Sequence, residues 1–365
     1  MDALQPLTAI EFYSGIGGLH LALKRCSSCR PSVVVRSYDW DPSAIAVYEH
    51  NFGRGIAQRK DISSLTPDTL SAYGADVWLL SPACQPYTVL NPESKGIRDP
   101  RAQSFLHLMA NVLPVMPPYR RPKYLLVENV GGFETSETRP AIIEILRGLS
   151  YNVAEFLLSP LQFGTPNSRQ RYYLLAKFGP WASSPTNPGI LTHIPPQEAD
   201  QDPQDVSVRD LRMYLDDDTP ANDLERYLVP DKILEKWGRL FDIVVPSSLR
   251  TCCFTRGYTR LVERAGSIIQ MDESLDTTTV FNEFLVAQAQ NVPHAVELLR
   301  PLRLRYFSPD ELLRLFDFNA PRAIWPPLAQ ISRKTRYRLI GNSVNVRVVT
   351  SLLEYLFCEP KQNQT

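Results

Sequence analysis

Near its start the chain runs Ile10-Glu11-Phe12-Tyr13-Ser14-Gly15-Ile16-Gly17-Gly18-Leu19-His20, a short apolar strand that opens through glycines into a helix. Glycines in such a turn let the backbone approach a ligand closely, and the first N–H groups of the helix point at that ligand. The spacing is Gly-x-Gly-Gly, and no Gly-Lys-Ser/Thr follows, which argues against a nucleoside triphosphate. The turn therefore predicts an α/β fold whose first strand leads into a ligand site.

The residues that follow indicate which ligand this is. A second apolar run, Val33–Tyr38, ends in Asp39 and Trp40, which supply a carboxylate for ribose hydroxyls and an aromatic face for an adenine. Asp61 offers an acceptor for the adenine amino group. These residues together predict an adenosyl cofactor.

Strand-like and helix-like patterns alternate up to about residue 178, which is typical of a doubly wound sheet. The predicted strands are Leu7–Phe12, Val33–Tyr38, Val77–Leu80, Tyr124–Glu128, Val153–Leu158 and Tyr172–Ala176. The predicted helices are Pro42–Asn51, Ser104–Val115, Pro140–Leu149, Asp231–Phe241, Phe281–Gln290, Ser308–Phe316 and Val346–Phe357. A Pro-, Ser- and Asp-rich stretch from Gly179 to about Pro203 predicts a linker before a smaller, more irregular region.

Two strand ends carry reactive side chains. Cys84 lies in the proline-bracketed loop Ser81–Tyr87, directly after the run Val77–Leu80. An isolated intracellular cysteine is more often a small buried hydrophobic residue. Glu128, however, ends the next strand along the chain, and burial can raise its pKa until it carries a proton at neutral pH. A thiol and a protonated carboxyl are the pair that nucleophilic attack on a pyrimidine requires.

These motifs occur together in one known family. The glycine turn after Phe12, Pro-x-Cys-Gln at Cys84, Glu-Asn-Val at Glu128, Arg-Gln-Arg at Arg169–Arg171 and Gly-Asn-Ser-Val at Gly341 follow the order of the cytosine-5 methyltransferases, which the chain resembles from Phe12 to about Val349. Phe163–Arg169 and Cys252–Tyr258 are similar to motifs of the DNA-methyltransferase homologues that methylate the aspartate tRNA anticodon loop. Two residues depart from the pattern: Ala83 replaces a proline, and Val89 replaces an arginine.

The resemblance implies a fold and a reaction. It implies a Rossmann-like S-adenosylmethionine-binding domain over residues 1–180, a target-recognition domain over 181–335, and a C-terminal helix over 336–365 that returns to the first domain. The reaction would be methyl transfer to C5 of an anticodon-loop cytosine, most closely in tRNA-Asp. A base must leave its stack to reach such a pocket, and unpaired loop bases do so most cheaply.

The same resemblance implies a role for each site residue. Cys84 is the nucleophile that adds to cytosine C6, Glu128 donates a proton to N3, Arg171 contacts O2, and Arg169 supports the thiol. The implied cofactor contacts are Phe12, Gly15, Gly17, Asp39, Trp40, Asp61, Asn342 and Ser343. Cys252 and Cys253 are interpreted as structural, and no metal site is predicted because the histidines show no ligand spacing.

Composition limits the partners. Lys+Arg and Asp+Glu both number 39, so a polyanion has to be held by a local basic face. The candidates are Arg250, Arg256, Arg260, Arg264, Arg300, Arg303, Arg305, Arg333, Lys334, Arg336 and Arg338, interleaved with Tyr258, Tyr306 and Tyr337. The six cysteines, the absence of a ~20-residue apolar run and the absence of a signal pattern predict a monomer in the cytoplasm or nucleus without membrane contact.

Two alternatives stay open. DNA is the nearest one, although zero net charge and a short recognition region argue against it. The other is a cofactor-binding protein that holds RNA without turnover, which is prompted by Ala83 and Val89. Retention of Cys84 and Glu128 favours the enzyme.

Overall fold

The computed structural model describes residues 5–27, 31–82, 100–182, 189–196, 207–219, 222–318, 321–326 and 331–360. In these ranges one sheet has eight strands, in the order β3-β2-β1-β4-β5-β7-β6-β8. They are β1 Leu7–Phe12, β2 Ser32–Asp39, β3 Ala57–Arg59, β4 Val77–Leu80, β5 Tyr124–Val130, β6 Asn152–Leu158, β7 Arg171–Lys177 and β8 Ile190–Leu191. Strand β7 is antiparallel to both of its neighbours, whereas the other pairings are parallel.

Eleven α-helices lie in the described ranges. They are α1 Gly18–Arg25, α2 Pro42–Phe52, α3 Pro67–Ser71, α4 Pro100–Leu106, α5 Thr138–Gly148, α6 Asp231–Trp237, α7 Thr277–Ala289, α8 Pro309–Leu315, α9 Pro321–Ile324, α10 Arg333–Gly341 and α11 Val346–Phe357. The predicted helix Ser104–Val115 is in fact the end of α4 followed by a π-helical turn, His107–Val112. None of the helices described is long and apolar enough to cross a membrane.

Both faces of the large sheet are buried, which confirms the doubly wound α/β prediction. Successive side chains of a strand point to opposite faces, so Leu7 and Ala9 of β1 join one apolar cluster while Ile10 and Phe12 join the other. Helices α1, α2 and α11 contribute to the first cluster, and α4 and α5 contribute to the second. The apolar runs in the sequence are continuous because both faces of these strands need covering.

A second, smaller sheet lies in the C-terminal half. Strands β9 Ile243–Val244, β10 Ile268–Gln270 and β11 Leu304–Arg305 pair in the order β11-β10-β9, and they pack on α6 and α7 in a cluster of their own. Val244 of β9 and Ile269 of β10, by contrast, belong to the first cluster of the large sheet. The smaller sheet is therefore joined to the large one by a continuous apolar core.

Helix α11 lies against the large sheet. Its N-cap is Asn345, whose side chain accepts from the Val348 N–H. At its other end the buried Lys177 ammonium of β7 donates to the Cys358 carbonyl at 2.9 Å, and Trp181 stacks on Tyr355. These contacts bring the segment just before α11 to the edge of the sheet where β1 ends.

Candidate active site

The glycine turn after β1 is tied directly to the end of β2. Gly15 has a φ of 53°, and its N–H donates to Asp39 Oδ2 at 2.8 Å. The Asp41 N–H donates to the other oxygen of Asp39, also at 2.8 Å. Burial raises the pKa of this carboxyl, although the two N–H donors oppose the rise. Asp39 thus fixes the shape of the turn, and each oxygen keeps a lone pair for a ribose hydroxyl.

The start of α1 is packed too closely to accept side chains. Gly17 has a φ of 84°, and a Cβ there would lie 2.2 Å from Phe52 Cε2. A Cβ on Gly18 would lie 2.7 Å from Val344 Cγ2 and 3.2 Å from Ser343 Oγ. The structure therefore brings Ser343, from the far end of the chain, to the glycine turn as predicted, while Asn342 lies exposed at the C-cap of α10.

The space around the turn fits an adenosyl group. Among the described residues no atom lies within 4 Å of a Cβ built on Gly15, so this side of the turn is open with respect to them. Trp40 is 65% exposed, and the Arg59 guanidinium lies over its ring at 5.1 Å. Asp61 is exposed at the start of a 3-10 turn, where Oδ1 accepts from the Ser63 N–H. An open turn, an exposed indole and two carboxylates suit the adenine and ribose of S-adenosylmethionine.

Phe12 differs from the other predicted cofactor contacts in its surroundings. It is completely buried at the end of β1, where its ring packs on Tyr38 and Trp78. The next residue, Tyr13, leaves the sheet with a φ of 58°, and its hydroxyl donates to Ser104 Oγ at 2.9 Å. The alternation of side chains along β1 distinguishes Phe12 from Tyr13, because Phe12 lies on the same covered face of the sheet as Ile10.

The candidate acid lies where the sequence predicts it. Glu128 of β5 is 8% exposed, and its Oε1 lies 3.4 Å from Arg171 Nε. Burial raises the pKa of this carboxyl, while the charges of Arg171 and Arg169 act in the opposite direction. The net rise favours a carboxyl that holds its proton, which is what a donor to a ring nitrogen needs.

The candidate nucleophile Cys84, together with Ala83 and Val89, lies outside the described residues. The residues that lead to it are described: the Ser81 N–H donates to the Phe12 carbonyl at 3.3 Å, and Ser81 Oγ donates to the Tyr13 carbonyl at 2.9 Å. Strand β4 pairs in parallel with β5, with Leu80 opposite Val127. The loop that carries Cys84 therefore starts beside both the glycine turn and the strand end that carries Glu128.

The two arginines differ in their contacts. Arg169 is 3% exposed, and its guanidinium donates to the carbonyls of Phe254, Gly341 and Ser343. It therefore ties three distant segments together instead of presenting donors to a base. Arg171 reaches Glu128, and its Nη2 lies 3.7 Å from Cys253 Sγ. Cys253 also lies 3.5 Å from Arg169 Nη1, a contact that sequence reasoning missed.

The structure corrects part of the predicted basic face. Arg305 is 1% exposed and makes two hydrogen bonds to the buried Glu311, so it is not a docking residue. Tyr258 and Tyr337 are buried, and their hydroxyls donate to the carbonyls of Ser267 and Phe307, so neither ring is free for stacking. Glu311, six residues after Arg305, was the available signal for a buried pair.

A doubly wound sheet, a ligand-binding glycine turn and a buried acid beside a cysteine-bearing loop define an α/β enzyme of the S-adenosylmethionine-dependent methyltransferase class. The model of the family C-5 cytosine-specific DNA methylase matches residues 7–358, and the chain belongs to this family.

Known proteins are similar to this chain over nearly its whole length. It is 38% identical over 359 residues to a tRNA (cytosine(38)-C(5))-methyltransferase of Schizosaccharomyces pombe, covering 98% of both chains. It is 34% identical over 385 residues to a DNA (cytosine-5)-methyltransferase of Dictyostelium discoideum, covering 97% of this chain and 95% of that one. The crystal structure of the S. pombe Dnmt2 methyltransferase superimposes with a TM-score of 0.76 and 36% identity, over 96% of this chain and 98% of that one.

Proposed function

We propose that this chain transfers a methyl group to C5 of a cytosine in tRNA, with cytosine 38 in the anticodon loop of tRNA-Asp as its target. The relative from S. pombe, named for cytosine 38 of tRNA, supports the substrate. The chemistry is supported above all by one observation: Glu128 is buried at a strand end beside Arg171, next to the start of the loop that carries Cys84.

Bound at the glycine turn, S-adenosylmethionine supplies an electrophilic methyl group. Cytosine C5 is too electron-poor to take it directly. The Cys84 thiolate adds to C6 while Glu128 donates its proton to N3, so that electron density shifts to C5. After methyl transfer, loss of the C5 proton expels the thiolate and restores the aromatic ring. Arg171, held by Glu128, lies beside this carboxyl throughout.

The ion pairs divide the predicted basic residues into two groups. Arg250, Arg300, Arg303 and Arg338 are paired with Asp242, Asp231, Asp218 and Asp41. For Arg256, Arg260, Arg264, Arg333, Lys334 and Arg336, no carboxylate lies within ion-pair distance among the described residues. We call this second group the unpaired basic face.

Helix α10 links the two parts of the unpaired basic face, with Arg333, Lys334 and Arg336 in its first turn and Arg256 beside its other end. A Cβ built on Gly341, the last residue of α10, would lie 2.3 Å from the Arg256 nitrogen, so the helix end packs on the loop that carries Arg256. Arg169 holds the same Gly341 carbonyl against the catalytic sheet. A backbone bound along this face would lead an RNA loop towards Glu128.

The substrate is tested by methylation of matched nucleic acids. We expect transfer of tritiated methyl groups to a tRNA-Asp transcript, none to the same transcript with cytosine 38 replaced by uracil, and slower transfer to the anticodon stem-loop. Faster transfer to a cytosine-containing DNA duplex would instead establish the alternative that the Dictyostelium relative's name suggests.

The catalytic pair is tested in the same assay. Cys84→Ala should abolish transfer and keep S-adenosylhomocysteine binding, because the glycine turn lies on β1 and not on the Cys84 loop. Glu128→Gln should slow transfer by about 10²–10⁴-fold, the range of a general acid. Turnover by Cys84→Ala, or a change of less than a few fold in Glu128→Gln, would remove that residue from the mechanism.

The docking face has a matched control. Arg256→Gln with Arg260→Gln should weaken tRNA binding and flatten its salt dependence by about 0.7 log units per lost phosphate contact. Arg300→Gln with Arg303→Gln removes the same formal charge from arginines that already have acid partners. Equal losses from both double variants would show that only net charge matters. We also expect the protein to be a monomer. Its location should be the cytoplasm or nucleus, since its cysteine content suits a reducing compartment.

A further inference from the structure

Cys253 is linked to the candidate acid Glu128 by Arg171, which contacts both. It lies in the segment between β9 and β10, and its Sγ is 3.5 Å from Arg169 Nη1 and 3.7 Å from Arg171 Nη2. The same Arg171 places its Nε 3.4 Å from Glu128 Oε1. One guanidinium therefore lies between the candidate proton donor and a thiol that the mechanism does not yet use.

The neighbouring cysteine is in a different environment. Burial raises the pKa of the Cys253 thiol, but the charges of Arg169 and Arg171 outweigh burial and lower it overall. For Cys252 burial prevails and raises the pKa to about 11, while its N–H donates to Ser267. Both residues are partly exposed, but their charged neighbours differ. Arg169 and Arg171 lower the pKa of Cys253, whereas Asp242 adds to the effect of burial at Cys252.

The charges around Glu128 require compensation. Arg171 approaches Glu128 from β7, and Arg169 approaches it from the segment just before β7. Tyr173 lies opposite Glu128 on the neighbouring strand. Both guanidinium charges favour the ionised form of Glu128, whereas proton donation needs the neutral form. A thiolate beside both guanidinium groups offsets that influence. Cys253 and Glu128 thus both contact this arginine pair.

We propose that Cys253 is a positioning residue for methyl transfer: its thiolate holds Arg171 in place and balances the arginine charges, so that Glu128 keeps its proton. The role rests on the proposed function, because it acts through the general acid of that reaction. It assigns a task to the Cys-Phe-Thr motif, in which Phe254 supplies the carbonyl that anchors Arg169.

The test compares Cys253→Ser with the adjacent control Cys252→Ser, by measuring kcat and KM on tRNA from about pH 6 to about pH 9. In Cys253→Ser the charge that balances Arg169 and Arg171 is lost, so Glu128 should ionise at lower pH. The alkaline limb of the kcat profile should move to lower pH, with a fall of about 10-fold on that limb and little change in KM. Cys253→Asp, which restores a negative charge, should recover most of the loss.

The inference is overturned if the profiles of the two serine variants superimpose, or if Cys253→Asp is no better than Cys253→Ser. A second measurement needs neither activity nor a variant: alkylation of the unmodified chain by iodoacetamide, followed peptide by peptide with mass spectrometry. Cys253 should react at a pH well below that at which Cys252 reacts, and the reverse order would refute a thiolate at Cys253. If no RNA is methylated by the unmodified chain, the proposed function fails, and the alkylation order still decides the charge state.

Discussion

Glu11 of β1 should make this protein less stable as the pH rises through neutrality. Its side chain is completely buried beneath the glycine turn, where Oε2 accepts from the Tyr48 hydroxyl at 2.8 Å. Among the described residues Oε1 has no hydrogen-bond partner. Burial, with a smaller effect from the Asp39 charge, raises the pKa of Glu11 from 4.5 to about 8, against the influence of Tyr48. The native state therefore holds a proton that the unfolded chain releases.

The magnitude follows from linkage. Between pH 4.5 and about pH 8 the native state binds more protons than the unfolded state, so the free energy of unfolding falls as pH rises. An interval of about 3.5 pH units at about 1.36 kcal/mol each gives an upper bound of about 5 kcal/mol. Glu11→Gln is neutral at every pH, and its amide oxygen can still accept from Tyr48. The variant should lose this slope.

The assay is urea unfolding at intervals from about pH 5 to about pH 8.5, comparing the slope of stability against pH. The matched control is Glu155→Gln, since Glu155 is also buried but is ion-paired with Arg139 at 2.6 Å. A slope that is lost in Glu11→Gln and not in this control assigns the effect to Glu11. If Glu11→Gln keeps the full slope, Glu11 is ionised in the native state, and the argument from burial is wrong.

Three further substitutions test the glycine turn and the buried hydrogen bonds of Arg169. Gly17→Ala should lower the free energy of unfolding, because its Cβ would meet the Phe52 ring; Gly15→Ala should chiefly weaken S-adenosylhomocysteine binding measured by calorimetry, because its Cβ would enter the open side of the turn that suits the cofactor. Arg169→Met should lower the free energy of unfolding by about 1–3 kcal/mol, since it leaves the buried carbonyl of Ser343 without its donor. A loss below about 1 kcal/mol in urea unfolding would contradict that role.

The sequence predicts the parts of the fold that depend on local pattern. Strands β1 and β4 and helix α11 have the predicted bounds, because an unbroken apolar run or a helical repeat specifies each of them. Strand β3, Ala57–Arg59, was missed: it is three residues long and lies at the sheet edge, where only one neighbour selects its residues. The linker prediction falls partly on residues outside those described.

The candidate site also contains residues that local sequence predicts and residues that it does not. Glu128 and the glycine turn are predictable because each lies near or directly after the carboxyl end of a strand, and parallel strands align their ends. The role of Arg169 is not predictable, because its partners Phe254 and Ser343 are 85 and 174 residues away along the chain. Cys253 was interpreted as structural for the same reason. Nothing in its local sequence shows that two arginines lie beside it.

The position of α11 has a consequence for how the protein is made. The glycine turn leaves the ribosome long before Ser343 and the buried face of α11, which complete its surroundings. Until then the side of β1 that carries Leu7 and Ala9 has no cover from α11. The nascent chain therefore exposes an apolar surface until α11 has been made, and such a surface favours chaperone binding or aggregation.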